Sequence, residues 1–212
     1  QDTIDHLDGY AQALLADDSP LRNRDPGFFG IAIANGLSIE RVPQLAKQTA
    51  AAGVWNVPTQ SLMENILGER SIDELMSRAE MNYVNEPTKE QWKRSVESLR
   101  AEYSVQERRR FLHTRRVLIA ALQDAGAGLL LGSDAPQIMN VPGFSIHEEL
   151  AYMVQAGLTP LQAIQSGTTN PARYFNEQDE YGVVKVGHLA ELVFLAANPL
   201  QKIEHTRQTQ GV

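Results

Sequence analysis

The run Gly128-Leu129-Leu130-Leu131-Gly132-Ser133-Asp134 constrains the fold of this chain more than any other stretch. It is apolar without alternation, so neither of its faces belongs in water, and a strand of that kind is at home in a parallel sheet covered on both sides. Parallel neighbours need long crossovers, usually helical. The sequence supplies such pattern on either side of the run. Upstream, Phe111, Leu112, Leu118, Ile119 and Leu122 recur at helical spacing as far as Gly126. Downstream, a helix through Leu150, Met153 and Val154 stops at Gly157. Thr159-Pro160 then caps and opens a second helix, the proline standing where its missing N–H costs nothing, and Asn170-Pro171 opens a third short one.

The N-terminal part reads the same way. Asp2-Thr3-Ile4-Asp5-His6 looks like the end of a strand, followed by a short helical pattern with Tyr10, Leu14 and Leu15 and a polar loop from Asp17 to Asp25. Ser38 is placed to cap a helix through Val42, Leu45, Ala46 and Thr49, which Gly53 ends in a left-handed conformation before a short strand, Val54 to Pro58. From Ser61 to Ala125 the pattern is helical and charged. Ser71 with Glu74, and Thr88 with Gln91, both fit the reciprocal capping box at a helix start. Arg108, Arg109, Arg110, Arg115 and Arg116 read as the solvated face of one helix, opposite its apolar stripe. In the tail, Gly182 to Leu195 reads as two strands around a glycine-containing turn.

Composition removes whole classes of function. The formal net charge is -7, with 26 acidic residues against 19 lysines and arginines, so no basic field draws in nucleic acid. There is no cysteine, hence no thiolate ligand or thiol nucleophile, and any metal must be held by histidines and carboxylates. No apolar run approaches the roughly 18 residues of a membrane helix, and the first residues lack the pattern of a signal peptide. The expectation is a soluble protein, cytoplasmic or periplasmic, without membrane partners.

Asp134 follows an apolar strand directly, and in (β/α)8 barrels the C-terminal ends of the strands face the active site. The plainer alternative is a carboxylate that accepts hydrogen bonds from its own turn. His6 has the same kind of position. An imidazole nitrogen and a carboxylate oxygen are both zinc donors, so the pair could share one divalent ion.

Five strings in order carry a resemblance: Gly132-Ser133-Asp134-Ala135; His147-Glu148-Glu149-Leu150 with Ala156 to Ile164; Thr168-Thr169-Asn170-Pro171-Ala172; Gly182 to Val193; and Asn198-Pro199-Leu200. Together they resemble the C-terminal portion of the amidohydrolase superfamily, in its imidazolonepropionase-like and dipeptidase-like branch. The resemblance covers residues 128–207 well and 1–60 more loosely, and Glu191 stands where the family more often has Asp.

That resemblance implies an α/β fold: the last strands and helices of a TIM-like (β/α)8 barrel over residues 1–175, with a helical insertion at 61–105, and a β-hairpin at 176–212 belonging to an accessory β-sandwich. It implies a metal-dependent hydrolase that opens C–N bonds of small amides, cyclic amides or peptides with a metal-activated water. Asp134 would be catalytic and a metal ligand, His6 a second ligand, and His147 a residue near substrate. The cofactor implied is zinc or another divalent metal, one or two ions in the complete protein. The family's remaining donors, a His-x-His pair among them, have no counterpart here; the histidines are His6, His113, His147, His188 and His205. The chain therefore reads as a fragment, inactive alone, whose partners are the rest of its own barrel or further copies of itself. His188 reads as a surface residue. Two other readings compete: an α/β binding or regulatory module that kept the fold and lost the metal, and a helical interaction protein built on Ser61 to Ala125. The Gly-Ser-Asp strand and the C-terminal segment argue against the second.

Overall fold

The computed structural model describes residues 2–212. At its centre lies a three-stranded parallel sheet, β1 (Thr3–Asp5), β2 (Trp55–Val57) and β3 (Gly128–Leu129), in the order β1-β2-β3. The register aligns Thr3 with Trp55 and Asp5 with Val57 on one side, and Trp55 with Gly128 on the other. The ladder is shorter than the apolar run suggested: Leu130 N–H still reaches Asn56 O, but Leu131 N–H turns to Ser166 O.

The crossovers are helical. Between β1 and β2 run α1 (Tyr10–Ala13), an irregular 3-10 stretch (Phe28–Gly36) and α2 (Val42–Ala51). Gly53 and Gly126 end α2 and the helix before β3 with φ of 66° and 78°, values that cost a glycine little. Ser38 caps no helix by side chain; its hydroxyl donates to Glu40, and a 3-10 turn at Ile39–Arg41 precedes α2. Between β2 and β3 come α3 (Gln60–Leu67), α4 (Ile72–Met76), a 3-10 turn (Ala79–Tyr83), α5 (Glu86–Glu102) and α6 (Val105–Asp124). Ser71 forms its capping box with Glu74, whereas α5 begins earlier than expected: Asn85, not Thr88, is its cap. Beyond β3 follow α7 (Ser145–Ala156), α8 (Pro160–Ser166), with the Thr159–Gln162 capping box, and α9 (Thr169–Phe175).

The main core joins Leu14, Leu15, Ile31, Ile33, Met63, Ile66, Leu118, Ile119, Leu122 and Leu129. A smaller core gathers Leu75, Met81, Trp92 and Val96 with Met139 and Val141. The second core therefore packs the helices of residues 61–105 onto the loop that follows Asp134.

Two expectations are corrected. Residues 182–193 carry no strand; the antiparallel pair is β4 (Phe194–Leu195) with β5 (Thr209–Gly211). Val184 and Val186 are 86% and 100% exposed, and an isolated hairpin with no face to bury is marginal in water. The arginines of α6 form a solvated face only in part. Arg115 is buried, Arg108 donates to the backbone carbonyl of Leu67 and Arg116 pairs with Glu64; Arg109, paired with Glu69, and Arg110, which donates to Ala34 O and Leu37 O, are exposed. The cause is that α6 is wrapped by α2, α3, α7 and the 3-10 stretch, so little of its circumference faces water. Among the described residues no helix is long and apolar enough to cross a membrane.

Candidate active site

Past each strand of the sheet, one residue on after β1, two after β2 and five after β3, stands a non-glycine residue with left-handed backbone. His6, directly after β1, has φ 58°; Thr59, after β2, has φ 49°; Asp134, after β3, has φ 58°. Each such conformation costs about 1–2 kcal/mol, least for Asp and His and most for a β-branched residue such as threonine. Strain of this kind is retained where a side chain has to be aimed. Here it brings the three side chains together: His6 Nδ1 lies 3.0 Å from Thr59 Oγ1 and 3.8 Å from Asp134 Oδ2. Both members of the His–Asp pair keep partial contact with solvent, 25% and 31% exposed. Phe29 meets the His6 ring edge-on at 5.3 Å, and beside it Asp8, Gly9, Gln12, Phe28 and Phe29 line a cleft of about 400 Å³.

Buried polar groups hold these strand ends in place. The Arg115 guanidinium donates to His6 O at 2.7 Å, to Pro58 O at 2.6 Å and to Gln60 Oε1 at 2.9 Å. Glu149, on α7 and fully buried, accepts the Gln60 and Ser61 N–H groups that open α3, at 2.9 and 2.6 Å. Burial pushes its carboxyl up to about 6, although those N–H bonds and Arg115 favour the charged form. Next to β3, Asn140 Nδ2 donates to Ser133 O, and Asn65 Nδ2 donates to Asn140 Oδ1 at 2.7 Å. Asn65 and Arg78 both donate to Met139 O, and Arg78 and Arg70 both pair with Glu148. Burial alone would raise the Glu148 carboxyl, but Arg78 and Arg70 outweigh it and hold it below the usual carboxylate range.

The sequence-predicted residues thus divide. His6 and Asp134 meet at the strand ends. His147, on α7, is turned to the C-terminal segment, its Nδ1 3.0 Å from Thr206 Oγ1 in the 3-10 turn Ile203–Arg207; burial, then Arg207, lowers its pKa. His188 is half-buried. Thr59, Arg115 and Glu149 escaped the sequence reading. For Thr59 a signal existed, since it follows the second strand as His6 follows the first.

As metal donors, the His6 imidazole and the Asp134 carboxylate are of the right chemistry. Thr59 engages Nδ1 of His6, as expected of a ligand whose second ring nitrogen is fixed by a neighbour, and leaves Nε2 for coordination. Their number falls short: among the described residues no three His, Cys, Asp or Glu side chains cluster to hold an ion, and a catalytic zinc takes three protein donors.

The model of the amidohydrolase family matches residues 36–212, most of the chain. The chain belongs to the amidohydrolase family. Among solved structures this amidohydrolase chain is similar to a protein from Bifidobacterium longum assigned as a prolidase, at 19% identity and a TM-score of 0.53, covering 99% of the chain and 39% of the other protein. It is similar also to a Xaa-Pro dipeptidase with methionine bound in its active site, at 18% identity and a TM-score of 0.52, covering 85% of the chain and 39% of the dipeptidase. The chain thus spans about two fifths of the length of these structures, and at such identities the likeness concerns the fold. Among curated proteins none matches the sequence.

Proposed function

We propose that this chain carries part of the active site of a metal-dependent hydrolase of C–N bonds, with Asp134 as the proton-transferring carboxylate and His6 as a metal donor. The observation that carries the reading is the convergence of His6 and Asp134, 3.8 Å apart, at the C-terminal ends of parallel strands in a chain of this family.

The three strands are then a sector of a (β/α)8 barrel over residues 1–175, with 61–105 as a helical insertion. Residues 176–212, with their exposed valines, belong to an accessory β-sandwich. The outer edges of β1 and β3 are where further barrel strands join, bringing the donors that His6 and Asp134 lack. By itself the two-donor set is too small for a tight zinc site, so the isolated chain is inactive.

A divalent ion, most simply zinc, held by His6 and Asp134 with donors from the rest of the barrel, would supply a nucleophilic water at neutral pH and polarise the scissile carbonyl. In that chemistry Asp134 would accept a proton from the attacking water and pass it to the departing amine nitrogen, without which the C–N bond would have to break towards a very poor leaving group. With His6 Nδ1 donating to Thr59 Oγ1, the lone pair stays on Nε2. The cleft along Phe28, Phe29, Asp8 and Gln12 has room for a small amide or a dipeptide. Dipeptides ending in proline are the first substrates to try, because one of the similar structures is a Xaa-Pro dipeptidase.

Asp134→Asn in the intact protein tests the reading. It is expected to lower kcat by about 10²–10⁴-fold on whichever amide is hydrolysed, the range for a lost general acid–base group, with KM little altered. Unchanged turnover would remove Asp134 from the chemistry. The competing reading, a binding module that kept the fold and lost the metal, is favoured by the two-donor count and requires that wild-type protein hydrolyse none of these substrates.

A further inference from the structure

Arg115 is the one buried lysine or arginine among the described residues, 5% exposed in the middle of α6. No carboxylate oxygen among the described residues lies within ion-pair distance of it. Its guanidinium instead meets three neutral oxygens, His6 O, Pro58 O and Gln60 Oε1, and packs over the Phe111 ring at 5.6 Å. Burying a charge is costly, and burial is the chief cause that drags this guanidinium down to about 10, against the opposing pull of the Glu149, Glu64 and Asp8 carboxylates. A well-packed apolar side chain of similar volume generally serves stability as well or better. Stability is therefore a poor explanation for an arginine here.

Its position supplies a better one. The last mutual bond of the β1–β2 ladder is His6 N–H to Val57 O at 2.8 Å. Arg115 ties the two strand ends together just past that bond. His6 O belongs to the peptide plane that follows His6, and Pro58 O to the plane that precedes Thr59. One rigid, planar fork thus fixes a peptide plane beside each of two left-handed residues, a task that a flexible ammonium with a single nitrogen cannot copy.

We infer that Arg115 is a positioning residue of the candidate active site: by holding the carbonyls of His6 and Pro58 it keeps the His6 imidazole in register with both Thr59 Oγ1 and Asp134 Oδ2. The inference rests on the hydrolase reading above. Arg115 touches no reacting atom in this arrangement, and its effect passes entirely through the backbone at the two strand ends.

The test is made on the intact protein, with zinc affinity by calorimetry and kcat and KM measured separately. Arg115→Lys keeps the charge but not the fork. It is expected to weaken zinc binding by about tenfold or more, as loss of a group orienting a ligand does. It should also lower kcat by about 10²-fold, with KM within about twofold, as a displacement near 1 Å of a catalytic group would. Arg115→Ala should regain part of that kcat when free guanidinium is added at millimolar concentration, a response that general loosening of the fold would not give. Arg109→Ala, on an exposed side of the same helix, should match the wild type in both measurements. A folded Arg115→Lys with wild-type zinc affinity and kcat overturns the inference and leaves the hydrolase reading standing. An Arg115→Lys that cannot fold makes Arg115 a folding residue and overturns it as well. Wild-type protein that neither binds zinc nor hydrolyses any amide defeats the hydrolase reading, and the inference falls with it.

Discussion

Glu149 shows how one buried side chain at this site links structure to pH. Its carboxylate completes the open end of α3, an arrangement that favours the ion, yet it is sealed from water, and burial wins: its pKa rises from the ordinary 4.5 to about 6. In the unfolded chain the group loses its proton near 4.5; in the folded chain it keeps the proton to about 6. Between those values the folded state binds more protons, so stability falls as pH rises across that interval, and the loss, of about 2 kcal/mol, persists above it. Glu149→Gln cannot ionise. Urea titrations between pH 4 and 7 should show this decline in the wild type and a flatter profile in the variant; equal slopes would mean that Glu149 does not carry it. Thr59 makes the complementary point about strain. A β-branched residue is held at φ 49° by bonds to its neighbours, Arg115 to Pro58 O and the Gln60 and Ser61 N–H groups to Glu149, and its hydroxyl serves His6 Nδ1.

At the scale of elements, the short sheet depends on close approach. Gly128 of β3 pairs with Trp55 of β2, and a Cβ placed on Gly128 would lie 2.2 Å from atoms of the Trp55 indole. The indole in turn meets Tyr174 of α9 edge-on at 5.8 Å, so it cannot swing away freely. Gly128→Ala is therefore expected to destabilise the protein by about 1–3 kcal/mol, the usual cost of overpacking, read from denaturant midpoints. A variant as stable as the wild type would show that the indole has room to move. Of the sheet, β3 was legible as an apolar run set between helical patterns, while β1 (Thr-Ile-Asp) and β2 (Trp-Asn-Val) are mixed; Asp134 and His6 could be named because each stands past a strand-like segment. The tail strands were misplaced because valines in a row suit a strand wherever they occur, while a strand exists only where a partner does; the partner of Phe194 and Leu195 lies near Gly211 instead. The arginines of α6 were misread in part for a related reason. Helical spacing shows that they share a helix, but the carbonyls they meet, such as His6 O and Ala34 O, lie 109 and 76 residues away in sequence. Arg115 could not be recognised as part of the site before those contacts were visible.

For the molecule as a whole, the helices of residues 61–105 are part of the site's support and not an appendage. Through Asn65, Arg78 and the second core they grip the loop after Asp134, while Arg115 and Glu149 grip the ends of β1 and β2. On the function proposed, the outer edges of β1 and β3 and the exposed valines of the tail would be covered by the rest of a barrel and its sandwich. All of this support converges on one pair of side chains at the strand ends. The direct measurement is the divalent-metal content of the intact protein, by elemental analysis after purification without chelators, for the wild type beside a His6→Ala, Asp134→Ala double variant of matched thermal stability. The wild type should carry zinc or a similar ion, and the variant should lose most of it. Equal metal content in the two proteins would contradict the assignment of His6 and Asp134 as donors.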